Sequence, residues 1–284
     1  MWTNKLIINF FTLFSPLLLT AQKELILTGT VIDSVNKMPL AYVNIGVVGT
    51  SIGTVSNAVG TFQLHLTTEI DEAQIVRFSF IGYETKEYTI ASLQLLNGKN
   101  IQLAPTAIKL ETVEVRPNLL KSKNVGHTKT KTRMNTNFAI GQKPGQNLGA
   151  SIGRRFNLGK ELHQLATFRF FVAANNFDTT RFRINVFNIK RGRPNELVHS
   201  SPIIVTLKKQ QQGWIEVDLV AQQIFVESDV IVAVEWIEYS QKGNALGLPI
   251  TIPTLGTHFY KYGSQNRWKR FRGMSTAMEL TVKK

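Results

Sequence analysis

Paired carboxylates on predicted strands are the first residues of this chain that could do chemistry. Glu216 and Asp218 stand two positions apart on one predicted strand, and Glu235 and Glu238 stand near the end of another. Glycoside hydrolysis uses two carboxyl groups about 5 to 9.5 Å apart, and same-face neighbours on a strand lie close to that separation. Any solvent-facing strand offers such pairs. A glycan-directed hydrolase that uses two of these residues as acid and base is therefore an alternative, and no catalytic residue is assigned.

Two matches to the G-x-S-x-G pattern of serine hydrolases occur, one around Ser51 and one around Ser151. The pattern works where a sharp strand-to-helix turn lifts the serine and aims a helix N-terminus at the oxyanion. Residues 54–62 read as a turn and a strand, and residues 154–160 read as basic and β-like. Because neither match precedes a helical pattern, we interpret both serines as turn residues.

Metal-binding side chains show no ligand spacing. The histidines lack the H-x-H, H-x-x-E-H and H-E-x-x-H patterns, and no cysteine is present to complete a zinc site. Asp178, after the turn at 175–177, could help to hold calcium, but capping of the turn is the simpler interpretation. We expect no metal site and no cofactor. The histidines are His65, His127, His163, His199 and His258.

Aromatic side chains beside polar groups are more informative. Trp214 alternates with Ile215 and so shares a polar strand face with Glu216, and the stretch 259–271 mixes aromatic and basic residues. A flat ring beside polar groups suits stacking on a sugar, and nearby cations suit phosphate or sulfate. Packing of Trp268 against one end of a sandwich is the competing interpretation. The predicted ligand-binding residues are Trp214, Glu216, Tyr260, Tyr262, Trp268 and Arg270.

The positive charge is concentrated in one segment. The formal net charge is +14, and residues 118–160 hold nine Lys and Arg and no Asp or Glu. Residues 22–117 hold seven basic and nine acidic side chains. An acid-free segment attracts polyanions through counterion release, so that binding weakens in salt. Lipopolysaccharide phosphates, acidic glycans and extracellular DNA are candidate partners, and a merely solvated linker is the alternative.

The first residues read as a secretory signal. Lys5 precedes a mainly apolar stretch at 6–19, and Ala21 is small enough for the position before a cleavage site. The stretch is too short and too interrupted to span a bilayer comfortably, which favours cleavage near Ala21. We expect no transmembrane helix after signal removal and no disulfide, since the chain lacks cysteine. Export argues against intracellular nucleic acid as a partner.

Short alternating strands and glycine turns fill the region after the signal. Val76 and Phe78 alternate with Arg77 and Ser79, which is typical of a sheet with one wet face. The number of strands predicts an immunoglobulin-like or transthyretin-like sandwich. The predicted strands are 25–33, 41–48, 61–66, 75–81, 87–90, 101–103 and 111–115.

Short motifs recur through this region at Gly29, Val31, Asp33, Pro39, Val43 to Ile45, Gly53-Thr54, Gly60-Thr61-Phe62, Phe80 to Tyr83 and Val113 to Val115. With these motifs, about residues 25–116 resemble the carboxypeptidase-regulatory-like (transthyretin-like) domain. Such domains often precede the plug of TonB-dependent outer-membrane receptors, so the resemblance implies a cell-envelope location. Fewer than 170 residues follow, and they do not read as barrel strands with aromatic girdles, so we do not expect a transporter.

Alternating patterns resume at about residue 147. Phe182, Ile184 and Val186 alternate with polar residues, and 230–236 forms a similar apolar face. We predict an all-β protein with an N-terminal seven-stranded transthyretin-like sandwich and a C-terminal antiparallel, jelly-roll-like sandwich. The predicted organisation is signal peptide 1–21, carboxypeptidase-regulatory-like domain 22–117, basic linker 118–146 and C-terminal sandwich 147–284.

These patterns favour an exported, non-enzymatic binding or assembly module of the Gram-negative cell envelope, in the periplasm, at the outer membrane or at the cell surface. Glycan and lipopolysaccharide are the candidate ligands. Besides the hydrolase, the alternative is an accessory partner of a TonB-dependent receptor or another surface protein.

Overall fold

The computed structural model describes residues 24–67, 70–106, 121–139 and 147–284. Strands dominate these residues, and the all-β prediction is confirmed. No helix in the described ranges is long and apolar enough to cross a membrane. The strands fall into two sets, here called the N-terminal unit (24–106) and the C-terminal unit (121–284), and no sheet contains strands from both.

The N-terminal unit has two sheets that enclose an apolar core. One sheet has the order β4-β1-β7, with β7 parallel to β1, and the other has the order β3-β2-β5-β6. Val76 and Phe78 are buried and Arg77 is not, as the alternation predicted. The elements are β1 (Glu24–Asp33), β2 (Asn44–Val47), β3 (Gly53–Val55), β4 (Thr61–Thr67), β5 (Ile75–Ser79), β6 (Lys86–Thr89), α1 (Ile90–Gln94) and β7 (Asn100–Leu103).

Two elements of this unit differ from the prediction. Strand β3 lies in a stretch predicted as turns, and it exists because it pairs with β2. The predicted strand 87–90 ends one residue early, at Thr89, and Ile90 begins the short helix α1. The Thr89 hydroxyl caps this helix by accepting a hydrogen bond from the Ser92 backbone N–H. The predicted strand 111–115 lies outside the described residues.

The C-terminal unit consists of three antiparallel sheets. The seven-stranded sheet has the order β14-β13-β18-β10-β20-β21 with β15 on β13, the five-stranded sheet has β16-β11-β23-β8 with β17 on β11, and a smaller sheet has β12-β19-β22 with β9 on β19. The elements are β8 (Ser122–His127), β9 (Met134–Asn137), β10 (Ser151–Phe156), β11 (His163–Val172), β12 (Ala174–Asn175), β13 (Thr179–Lys190), β14 (Arg193–Leu197), β15 (Ile203–Lys208), β16 (Gly213–Asp218), a 3-10 turn (Val220–Gln222), β17 (Phe225–Val226), β18 (Val230–Tyr239), β19 (Leu246–Thr251), β20 (Thr257–Lys261), β21 (Lys269–Arg272), β22 (Ser275–Thr276) and β23 (Met278–Lys283).

The core of the C-terminal unit lies between its sheets. Phe168 and Phe170 of β11 stack on each other, and Phe170 meets Phe182 of β13 edge-on at 5.6 Å between ring centroids. The buried Trp236 indole N–H donates to the Thr180 hydroxyl, so no polar atom of that ring is left unpaired. The alternation predicted along β13 and β18 therefore places these side chains in the core.

Part of the predicted basic linker is regular structure. Within 118–146, residues 122–127 form β8 beside β23, and residues 134–137 form β9 beside β19. These segments have few apolar residues, so their own pattern does not indicate a strand. The neighbouring strands β23 and β19 supply the hydrogen-bond partners that hold these segments. The linker interpretation is wrong for these ten residues, whereas 118–120 and 140–146 lie outside the described part of the chain.

Candidate functional site

Trp214 lies on the outer face of the five-stranded sheet, in a row with side chains of neighbouring strands. Cross-strand pairing places Trp214 opposite Phe171 and Glu216 opposite Arg169. The Trp214 and Phe171 rings meet edge-to-face at 5.5 Å, and the Arg169 guanidinium carbon is 4.7 Å from the Trp214 ring centroid. Glu279 of β23 lies opposite Arg169 on the other side. We call these five residues the Trp214 face.

Charge holds the Trp214 face in a defined geometry. Arg169 donates from Nε and Nη2 to Glu279 Oε1 at 2.9 and 2.7 Å. The guanidinium therefore has an anion on one side and an aromatic ring on the other, which is a favourable arrangement for a planar cation. Trp214 is half-buried and Glu216 is exposed. The face thus offers an aromatic surface beside hydrogen-bonding groups of both charges.

The predicted Tyr260 lies in the interior rather than on a binding surface. Its hydroxyl donates to the Asn137 carbonyl and accepts from Asn147 Nδ2. Burial raises the pKa of Tyr260 above its ordinary value. Tyr262 is half-buried, with its ring centroid 4.1 Å from that of Tyr260, and the Lys269 ammonium is 5.0 Å from the Tyr262 centroid.

Trp268 and Arg270 lie at the β20–β21 hairpin, on a different sheet from Trp214. The Trp268 ring packs edge-on against Phe187 at 5.8 Å, and the Lys261 ammonium is 5.5 Å from its centroid. Arg270 is exposed and donates to the Gly192 carbonyl at 3.3 Å. The six predicted ligand-binding residues are therefore divided between two sheets: Trp214 and Glu216 lie on the five-stranded sheet, whereas the other four lie on or beside β20 and β21 of the seven-stranded sheet.

The four candidate carboxylates also divide between two sheets. Glu216 and Asp218 are exposed on β16, whereas Glu235 and Glu238 lie on β18 and bind cations. Glu238 accepts from Arg181 and from the Tyr42 hydroxyl. A pair made of one residue from β16 and one from β18 would therefore have to join two different sheets.

Glu235 is the centre of a buried ionic cluster that joins the two units. Its side chain is 1% exposed and accepts from Arg183 at 2.8 Å and Asn185 at 2.7 Å. Lys261 approaches to 3.7 Å, and Asn44 of the N-terminal unit donates at 3.0 Å. Burial acts to raise the pKa of Glu235, but the charges of Arg183 and Lys261 and the Asn185 hydrogen bond outweigh it and leave that pKa lowered. Glu235 is therefore held ionised as a structural anion.

Tyr42 makes the second contact between the units. Its backbone carbonyl accepts from Arg183 Nη1 at 2.8 Å, and its hydroxyl pairs with Arg181 and Glu238. Burial raises the pKa of the Tyr42 hydroxyl, and Glu238 raises it further. The side chain packs, together with Val55, into the hydrophobic cluster of the C-terminal unit.

Both G-x-S-x-G segments meet at Ser264. A Cβ on Gly53 would lie 2.6 Å from Ser264 Oγ, and a Cβ on Gly149, whose φ is +80°, would lie 2.5 Å from Ser264 Cβ. Ser264 Oγ donates to the Ile45 carbonyl across the two units. Glycine at these positions lets the backbones approach, and β-strand rather than helix occurs at 53–55 and 151–156. The two segments serve packing, and neither has the turn that a nucleophilic serine needs.

Within the described ranges, no three His, Asp or Glu side chains cluster closely enough to hold a metal ion. The sequence reasoning missed the residues that join the units, among them Tyr42, Arg183 and Ser264. Alternation of Arg181 and Arg183 with Phe182 and Ile184 indicated only a wet face, because the anion that buries Arg183 lies on β18.

Comparisons with known proteins identify one domain. Residues 27–115 match the family model of the CarboxypepD_reg-like domain, which confirms the resemblance found in the sequence. The search of curated proteins found no match.

Solved structures give only distant similarities. The structure of the cysteine protease and lectin-like domains of Cwp84, a surface layer associated protein of Clostridium difficile, is 10% identical, with 47% of this chain and 32% of that chain covered and a TM-score of 0.37. A variant of the clostridial cysteine protease Cwp84 after propeptide cleavage is 10% identical over 89% of this chain and 61% of that chain, with a TM-score of 0.41. A variant of BcpA, the major pilin subunit of Bacillus cereus, is 10% identical over 89% and 69%, with a TM-score of 0.18. The chain spans less than two thirds of the Cwp84 structures, and at these TM-scores none supports an inference about this chain.

Proposed function

We propose that this chain, with its CarboxypepD_reg-like domain at 27–115, is an exported, non-enzymatic binding module of the Gram-negative cell envelope that binds glycan on the Trp214 face. The family match supports a binding or assembly role and, through the resemblance to receptor-associated domains, the envelope location. The predicted signal at 1–21 supports export.

The geometry of the Trp214 face is the observation that carries the proposal. Saccharides present C–H faces that pack on aromatic rings and hydroxyls that bond to carboxylates and guanidinium groups. Trp214 supplies the ring, Glu216 an exposed acceptor, and Arg169 a donor that Glu279 holds in place. Because Glu279 already orients the Arg169 guanidinium, ligand binding has to restrict little further side-chain freedom.

The positions of the carboxylates favour binding over hydrolysis. A glycosidase needs one carboxyl group that can carry a proton near neutral pH, placed across the substrate from a second. Glu235 is held ionised by its two cations, and Glu238 is paired with Arg181. Only Glu216 and Asp218 remain exposed, side by side on one strand.

Strands β2 and β3 of the N-terminal unit make the contact with Ser264, and β6, the edge strand at the other side of the same sheet, lies away from it. This arrangement supports an assembly role for the N-terminal unit. If the chain is instead an accessory partner of an outer-membrane receptor, the receptor should co-purify reproducibly with the native protein.

A direct test is a glycan array of cell-wall and surface oligosaccharides, followed by calorimetry on the best ligand. We expect Trp214→Ala to weaken binding roughly tenfold or more, since one aromatic stack contributes on the order of 1 to 3 kcal/mol. Trp268→Ala is the matched control and should bind as the wild type does. Equal losses in both variants, or no loss in Trp214→Ala, would reject the Trp214 face.

A further inference from the structure

Arg154 is a half-buried cation of the C-terminal unit without an acidic partner. It lies between Ile152 and Phe156, which β10 buries, and it donates from Nη1 to Ser275 Oγ at 2.7 Å. Within the described ranges, no Asp or Glu oxygen forms an ion pair with it. Burial lowers the pKa of Arg154 to about 10. Its guanidinium carbon lies 5.7 Å from the Phe156 ring centroid, and an anion beside this partly desolvated charge would stabilise it further.

The neighbouring arginines make the difference clear. Arg155, the next residue on β10, pairs with Asp229 at 2.6 Å, and Arg183 of the same sheet pairs with Glu235 at 2.8 Å. Both have the carboxylate that Arg154 lacks. The C-terminal unit therefore supplies a carboxylate to each of these two arginines. Arg154, on the core-facing side of β10, is the exception.

Two buried nitrogen atoms without a hydrogen-bond partner occur on neighbouring strands. Nε of Arg154 and Nδ1 of His258 are buried and have no hydrogen-bond partner among the described residues. His258 is 3% exposed and lies directly opposite Arg154 on the paired strand β20. Because Nη1 of Arg154 is already bonded to Ser275, the Nε edge of the guanidinium is the one left to form the forked pair that an oxyanion accepts.

A second histidine lies near Arg154. His127 of β8 contacts the Thr251 hydroxyl through Nε2 at 2.9 Å. Burial lowers the pKa of His127, and the charges of Arg154 and Lys129 lower it further, so its neutral form is favoured. Arg154, His127 and Lys129 all belong to the acid-free segment 118–160. Two cations of the acid-free segment, Arg154 and Lys129, thus act on one place in the C-terminal unit, and Lys129 belongs to the predicted linker 118–146.

We propose that Arg154, His258 and Ser275, beside His127, form a binding site for an oxyanion, that is, a phosphate, sulfate or carboxylate group. The Arg154 Nε edge and the His258 ring donate to the anion, and Ser275 orients the guanidinium. The anion comes either as a free ion or as the headgroup of an anionic lipid. Arg154 and His258 lie on the seven-stranded sheet and Ser275 on β22 of the small sheet, and none of them belongs to the Trp214 face, so this site is tested independently of glycan binding.

The test is calorimetric titration of the full chain with inorganic phosphate and with sulfate, at constant ionic strength held by chloride. Arg154→Lys keeps the positive charge but removes the fork, and Arg155→Gln is the control on the opposite side of the same strand. We expect saturable binding to the wild type and to Arg155→Gln, and an affinity about tenfold lower or worse for Arg154→Lys.

A parallel arm uses phosphatidylcholine vesicles with and without phosphatidylglycerol. Vesicle binding that needs phosphatidylglycerol and is lost in Arg154→Lys, without binding of free phosphate, supports the site with a lipid headgroup as its anion. Binding that Arg154→Lys leaves unchanged, in either arm, contradicts the site, as does the absence of any anion binding in both arms.

If Arg154→Lys does not fold, nuclear magnetic resonance of the wild type decides the question. Phosphate should shift the Arg154 Nε–H and His258 ring resonances with one common saturation curve. Resonances that move no more than in chloride alone would overturn the proposal.

Discussion

Two buried titratable side chains of the C-terminal unit, Glu235 and His258, differ in whether an oppositely charged group lies next to them. Glu235 is surrounded by Arg183, Lys261 and two amide donors, and it stays ionised although it is buried. His258 has no charged partner among the described residues and is held neutral by burial alone. The paired charge of Glu235 should stabilise the folded protein, whereas protonation of His258 in acid should destabilise it.

Glu235→Gln should lower the free energy of unfolding by about 3 to 5 kcal/mol, because it leaves Arg183 and Lys261 without their buried anion. Urea unfolding followed by circular dichroism measures the loss. Glu216→Gln, the same change at an exposed position, should stay within about 0.5 kcal/mol of the wild type. Equal effects of the two substitutions would mean that the Glu235 cluster adds nothing beyond surface charge.

Acid should destabilise the protein through His258. Burial lowers the pKa of His258 from 6.5 to about 4, so the unfolded chain binds more protons than the folded chain between these values. The free energy of unfolding therefore falls as pH falls from 6.5 to 4, by about 3 kcal/mol in total for this group. Urea unfolding in chloride buffers at about pH 7, 5.5 and 4 measures the slope.

His258→Phe retains a ring beside Phe271 and cannot take up the proton. Its stability should depend less steeply on pH than that of the wild type over the same interval. Parallel pH profiles for the two proteins would show that His258 is not buried in its neutral form.

Among the elements, β8 tests whether the basic segment is structural. Val125 packs against the core and lies opposite Leu280 of β23, whereas Asn124 faces outward and accepts a hydrogen bond from the Thr281 hydroxyl. An edge strand of this kind is held by its partner strand and by one apolar contact rather than by its own pattern.

Val125→Asp should destabilise the protein by about 2 kcal/mol, because it places a carboxylate where a side chain packs on the core. Asn124→Asp introduces the same residue one position earlier, keeps the acceptor for Thr281, and should cost less than about 0.5 kcal/mol. Thermal and urea unfolding compare the two. A flexible linker would tolerate both substitutions alike.

At the scale of the whole molecule, the two units are joined by packing and by charge. Tyr42 and Val55 enter the C-terminal hydrophobic cluster, and the backbone N–H of Gly49 donates to the Gln265 carbonyl at 3.0 Å. The N-terminal unit nevertheless has an apolar core of its own. Cooperative unfolding of the whole chain therefore depends on the contacts between the units, among them those around Ser264.

Ser264→Arg should separate the unfolding of the two units, because an arginine does not fit between Gly53 and Gly149. In a chain that begins after Ala21, the tryptophans at 214, 236 and 268 report the C-terminal unit alone, while far-ultraviolet circular dichroism reports both. The two signals should coincide in the wild type and in the exposed-site control Ser228→Arg, and diverge in Ser264→Arg. Coincident transitions in all three proteins would argue against coupling through this contact.

The sequence alone determined the all-β class, the N-terminal domain and most of its strands. Alternation with a period of two is a local property, so Val76 and Phe78 could be assigned to a buried face without knowledge of the partner strand. The same holds for Phe182 and Ile184 in the C-terminal unit. The candidate site was only partly predictable, since Trp214 and Glu216 are neighbours on a strand but Arg169 and Glu279 reach them from other strands.

Only the tertiary structure decided which polar residues are buried together. Ser264 meets Ile45 across 219 positions, and Arg183 meets Tyr42 across 141. The same is true of β8, which is a strand because β23 lies beside it, and of Arg154, whose Nε proves to be buried without a hydrogen-bond partner only once its neighbours in the described residues are known. Hydrogen bonds and ion pairs depend on which atoms are close in space, and a pattern read along one strand carries no information about distant partners.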